Sequence, residues 1–104
     1  MKEDKTVLDL TKLGGRVYVG RPNGRMARDY FKVENIEKEN QFPVSVIFPD
    51  DARTLTSSFF LGMFGKSVRT AGTRDEFYSR YKFNANKQIL EEIELGITEA
   101  LIAS

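Results

Sequence analysis

The run Val44-Ser45-Val46-Ile47-Phe48 constrains the fold of this chain more than any other segment. It is short, β-branched and nearly all apolar, the pattern of a central strand buried on both faces. Pro43 stands before it and Pro49-Asp50-Asp51 closes it, so its ends are marked on both sides. Segments of helical period flank it. Upstream, Met26, Tyr30 and Val33 fall at i, i+4 and i+7, with Ala27 and Phe31 beside them, which predicts an amphipathic helix from Arg25 to near Glu37. Asn40-Gln41-Phe42-Pro43 breaks it. Downstream, Phe60, Met63, Phe64 and Ser67 lie at i, i+3, i+4 and i+7. They predict a second helix, opened by Thr56-Ser57-Ser58 with Thr56 or Ser57 as cap, and stopped by Gly72. A central strand between such segments is the pattern of a layered α/β domain.

The remaining segments fit that layer. Thr6 to Leu13 reads as a strand ended by Gly14-Gly15. Arg16-Val17-Tyr18-Val19 reads as a second short strand, a hairpin partner of the first, with Val17 and Val19 on one face. Arg21-Pro22-Asn23-Gly24 has the composition of a turn. A short helix from Thr73 to Arg80 is expected, then an edge strand or loop at 82–86. A last helix, capped by Asn86, has Ile89, Ile93, Ile97, Ala100 and Leu101 on one face and Glu91, Glu92 and Glu94 off it. The expected fold is a small mixed sheet of about four strands with helices mainly on one face, in one domain. No internal repeat or linker divides the sequence.

Composition narrows the chemistry. The 104 residues include no Cys and no His. That excludes a disulfide scaffold, a cysteine nucleophile, thiolate metal sites and the Ser-His-Asp triad. Sixteen Lys+Arg against fifteen Asp+Glu give a net charge of +1, which selects no class of partner. The apolar run at 59–64 is far shorter than the roughly 20 residues a membrane span needs. The start, Met1-Lys2-Glu3-Asp4-Lys5, lacks the apolar core of a signal peptide. The expectation is a cytoplasmic, soluble protein with no membrane, no cofactor and no catalysis of its own.

Four segments carry candidate chemistry. Gly62-Met63-Phe64-Gly65-Lys66-Ser67 resembles the end of a phosphate loop, but Phe60 occupies the place of the first glycine and the segment lies inside a predicted helix. Its glycines read as a means of close helix packing. Arg16, Arg21, Arg25 and Arg28 put four positive charges around a glycine-rich turn that leads into a helix, which suits a phosphate or a nucleic acid. The final helix is acidic, and faces of opposite sign suit a protein partner or a homodimer as readily as RNA. Asp50 and Asp51 end the central strand without an identifiable partner and read as a turn, so no metal site is expected. Thr54-Leu55-Thr56-Ser57-Ser58 places hydroxyls at a helix start, where they act as caps or as a phosphorylation switch.

The strand Val44–Phe48, the loop after it, and Leu55-Thr56-Ser57-Ser58-Phe59-Phe60-Leu61-Gly62-Met63-Phe64-Gly65 resemble the STAS-like family of bacterial and phage proteins. More remotely they resemble the STAS domains of anti-sigma factor antagonists. Phe77, Tyr81, Phe83 and the Ile89-Ile93-Ile97 helix extend the resemblance over most of 44–103. The resemblance implies a non-enzymatic interaction module whose partner is a signalling protein, a serine-kinase-type ATPase related to histidine kinases. That partner would dock on the 54–65 loop and helix, at Thr56, Ser57, Ser58 and Phe59. In the antagonists the second serine of an Asp-Ser-Ser-Gly motif is phosphorylated, and the matching residue here is Ser58. Thr56 stands where that motif has Asp, and Phe59 where it has Gly. The alternatives are a phosphate- or nucleic-acid-binding module built on the four arginines, and a phage or mobile-element protein that blocks a host complex.

Overall fold

The computed structural model describes residues 6–102. In chain order these form β1 (Thr6–Asp9), a 3-10 turn (Leu10–Leu13), β2 (Val17–Tyr18), α1 (Arg21–Tyr30), α2 (Val33–Lys38) and β3 (Val44–Ile47). Then come β4 (Thr54–Leu55), α3 (Ser57–Ala71), α4 (Arg74–Arg80), β5 (Tyr81–Asn84) and α5 (Lys87–Ile102). The fold is α/β, but the sheet is neither single nor mixed. Strands β1-β3-β5 form one parallel sheet and β2-β4 a second, also parallel.

The expected hairpin fails for a local reason. Asp9 Oδ1 accepts the Thr11 N–H at 3.1 Å and the Thr11 hydroxyl, which bends the chain into the 3-10 turn. Gly14 and Gly15, at φ of +78° and +74°, then carry it away from β1. Strand β2 pairs instead with β4, with Tyr18 opposite Leu55. Each of the first two thirds of the chain therefore gives one strand to each sheet and follows with two helices, a structural repetition that the residues do not display.

Val44–Ile47 is the central strand, as its composition indicates. Its inward residues, Val44 and Val46, align with Tyr81 and Phe83 of β5, and Val46 aligns with Leu8 of β1. Both crossovers step in the same direction across the sheet, which puts the helices on one face. On the other face Ser45 and Ile47 are half-buried and Val7 is exposed. The core between sheet and helices is aromatic: Phe64 packs edge-on against Tyr81 and Phe83, and Phe77 stacks on Tyr81.

The single helix expected over 25–37 is two helices. Lys32 sits in the left-handed region at φ 57° and separates α1 from α2. The Arg21–Gly24 turn is the first turn of α1, with Pro22 in a position that needs no N–H partner. The face of α1 is also rotated from the expected one. Gly24, Ala27 and Arg28 are buried, whereas Met26 and Tyr30 are 66% and 59% exposed.

The elements from α3 onward form as the sequence indicates. Thr56 Oγ1 caps α3 by accepting the Phe59 N–H, and Gly72 ends it at φ +90°. Asn86 Oδ1 caps α5 through the Ile89 N–H, and Ile89, Ile93, Ile97 and Ala100 are fully buried. No described helix is long and apolar enough to cross a membrane.

Candidate functional site: the paired helix starts at Gly20 and Thr56

Because β2 and β4 run parallel and each is followed at once by a helix, α1 and α3 begin side by side. Thr56 Oγ1 is the joint between them. It accepts the Phe59 N–H of its own helix at 3.2 Å and the Gly20 N–H from the start of α1, also at 3.2 Å. The Thr56 N–H donates to Tyr18 O across the strand pair at 3.0 Å. Ser58 Oγ lies 3.2 Å from Thr56 Oγ1, so the two hydroxyls share a hydrogen bond. Neither helix has an acidic residue in its first turn, and α1 has no side-chain cap. Two positive dipole ends thus stand together with no carboxylate in either first turn.

Thr56, Ser57 and Ser58 are half-buried and lie together at this helix start. Phe59 does not share their position: it is 3% exposed and packs edge-on against Tyr18, with ring centroids 5.5 Å apart. Its side chain belongs to the core and borders the surface only at the groove between β2 and α1. Along the rest of α3, Leu61 and Gly62 stay half-buried and Lys66 and Arg69 are exposed, while Phe60, Met63 and Phe64 point inward.

The four arginines do not form one patch. Arg16 is ion-paired with Asp51, whose carboxyl is held below its ordinary pKa by that hydrogen bond. Arg28 is 6% exposed. Its Nη1 donates to Met63 O at 2.6 Å and to Ser67 Oγ at 3.0 Å, and its Nε to Glu34 at 3.1 Å. Glu37 Oε1 lies 3.7 Å from Nη2 and accepts the Tyr81 hydroxyl on its other oxygen. Arg21 and Arg25 remain exposed, one turn apart on α1, and make no ion pair among the described residues.

The other candidates resolve into structure. The phosphate-loop-like segment is the interior of α3. Asp50 gives its backbone carbonyl to the Asn86 side chain at 3.0 Å, which ties the β3–β4 loop to the start of α5.

Residue-type reasoning overlooked the backbone N–H of Gly20, since a main-chain donor carries no side-chain signature. The only trace in the sequence is Gly20 directly before Arg21-Pro22, the pattern of an uncapped helix start. It also overlooked a groove of about 340 Å³ between β2 and α1, lined by Leu13, Val17, Val19, Met26 and Tyr30.

No protein-family model matches the chain, and no curated protein or solved structure shows significant similarity to it.

Proposed function

We propose that the chain is a non-enzymatic regulatory module that docks a signalling protein at the Thr56–Ser58 helix start, with Ser58 as a phosphorylation switch. The observation that carries this reading is the Thr56 hydroxyl joint. One oxygen holds the starts of α1 and α3 together and is bonded to Ser58 Oγ. A phosphate on Ser58 adds about two negative charges and three acceptor oxygens at that point. It would be stabilised by both helix dipoles and would compete with Thr56 for the Gly20 and Phe59 N–H groups. A local charge change would thereby alter how α1 and α3 meet the partner. The partner class, a serine-kinase-type ATPase, follows from the STAS-like resemblance of residues 44–103. The anion-binding alternative is less well supported, since Arg16 and Arg28 are already engaged by carboxylates.

The test is intact-mass and fragment analysis of the tagged protein purified from its native host under several growth conditions. A phosphorylated fraction that maps to Ser58 and disappears in Ser58→Ala supports the switch. An unmodified chain under every condition, or a phosphate that persists in Ser58→Ala, overturns it.

A further inference from the structure

Apart from Val7 on the open face of the sheet, the large apolar side chains that stay exposed gather at the two flanks of the helix layer. Helices α1 and α5 both pack against α3, α1 through Gly24 beside Phe59 and Met63, and α5 through Gly96 against Phe60. The α1 flank carries the groove, with Val17, Val19, Met26 and Tyr30 exposed along it. A second hollow shares Tyr30 and is lined also by Val7, Asp9, Lys12 and Lys32. The α5 flank presents Leu95 and Ile102, 57% and 75% exposed and seven residues apart, which places them on one stripe. Exposed Glu91 and Glu99 flank that stripe. Lys12 and Lys32 make no ion pair among the described residues, and neither do Glu91 and Glu99.

We infer that these flanks are the two halves of one interface, and that the groove of one copy receives α5 of a second copy. The two halves match in form and in net charge: an apolar groove beside a hollow with two unpaired lysines against one carboxylate, Asp9, and an amphipathic helix with unpaired glutamates. Patches of this kind on a folded surface mark interaction sites. The two halves lie on different faces, so the contact is head to tail. Such a contact closes into a ring or runs on as a filament. Thr56 and Ser58 line neither hollow, and sedimentation of the unphosphorylated chain tests the interface apart from the switch.

Sedimentation of the full chain over a wide concentration range tests this, with Met26→Glu to spoil the groove and Leu95→Lys to spoil the helix. Both positions are exposed, and circular dichroism verifies that each variant is folded. The wild type is expected to grow in mass with concentration and to shrink with added salt. Each variant alone is expected to be a monomer. Their equimolar mixture is expected to form a dimer that grows no further, because each contributes the intact half the other lacks. A wild type that stays monomeric up to millimolar concentration overturns the inference. So does an assembly abolished by Met26→Glu and untouched by Leu95→Lys, which would mean that grooves pack on grooves.

Discussion

Gly24 of α1 and Gly62 of α3 face each other across a helix crossing so close that neither position has room for a methyl group. A Cβ on Gly24 would lie 2.1 Å from the Phe59 carbonyl oxygen, and one on Gly62 would lie 2.3 Å from that of Arg21. The obstacle in each case is backbone, which cannot rotate aside. This crossing sets the spacing of the paired helix starts and hence the reach of the Gly20 N–H to Thr56.

Gly62→Ala is therefore expected to destabilise the fold by about 1–3 kcal/mol, the usual cost of overpacking a close contact. Gly65→Ala, one turn on in the same helix, is the contrast. Its Cβ would meet nothing closer than Arg69 Nη1 at 3.4 Å. The gain in helix propensity there is up to about 1 kcal/mol. Urea denaturation of both variants checks the opposite signs.

Arg28 fastens α1 to α3 and to the sheet edge through Glu37 and Tyr81. Its Nη2 is buried with no hydrogen bond among the described residues and lies 3.7 Å from Glu37 Oε1. Arg28→Ala is expected to cost about 3 kcal/mol, since it strands a half-buried carboxylate. Arg28→Met combined with Glu37→Gln is expected to recover part of that loss, because no unpaired charge remains. Denaturation midpoints of Arg28→Met, Glu37→Gln and the double variant measure the coupling.

Tyr78 and Tyr81 both have pKa values raised well above 10.0, in each case first by burial and then by a hydrogen bond to a glutamate, Glu94 and Glu37 respectively. The unfolded chain therefore loses these protons first as pH rises. Their contribution to stability is full below pH 10 and declines above it. An absorbance titration is expected to show both phenols ionising at higher pH in the folded than in the unfolded chain, and Tyr81→Phe is expected to make the alkaline loss of stability less steep.

The sequence was most legible where side-chain pattern and burial coincide. The central strand at Val44–Ile47, the Thr56 and Asn86 caps, the Gly72 stop and the α5 face all follow from local rules. It was least legible where small residues do the packing. Gly24 and Ala27 turn α1 onto α3, so the larger Met26 and Tyr30 face outward against the apolar pattern. Strand pairing at Val17-Tyr18 was equally hidden, because two residues cannot specify their partner and β4 is distant in sequence. The hydroxyls of the candidate site were visible as caps. The joint to Gly20 was not, because it depends on the parallel pairing of β2 with β4.

The most direct measurement is side-by-side capture of partners from the native host by tagged wild type, Ser58→Ala and Ser58→Asp. The account predicts that one ATPase of the serine-kinase type is held by wild type and Ser58→Ala and lost from Ser58→Asp. Equal capture of that partner by all three, or no such partner on the wild type, would contradict it.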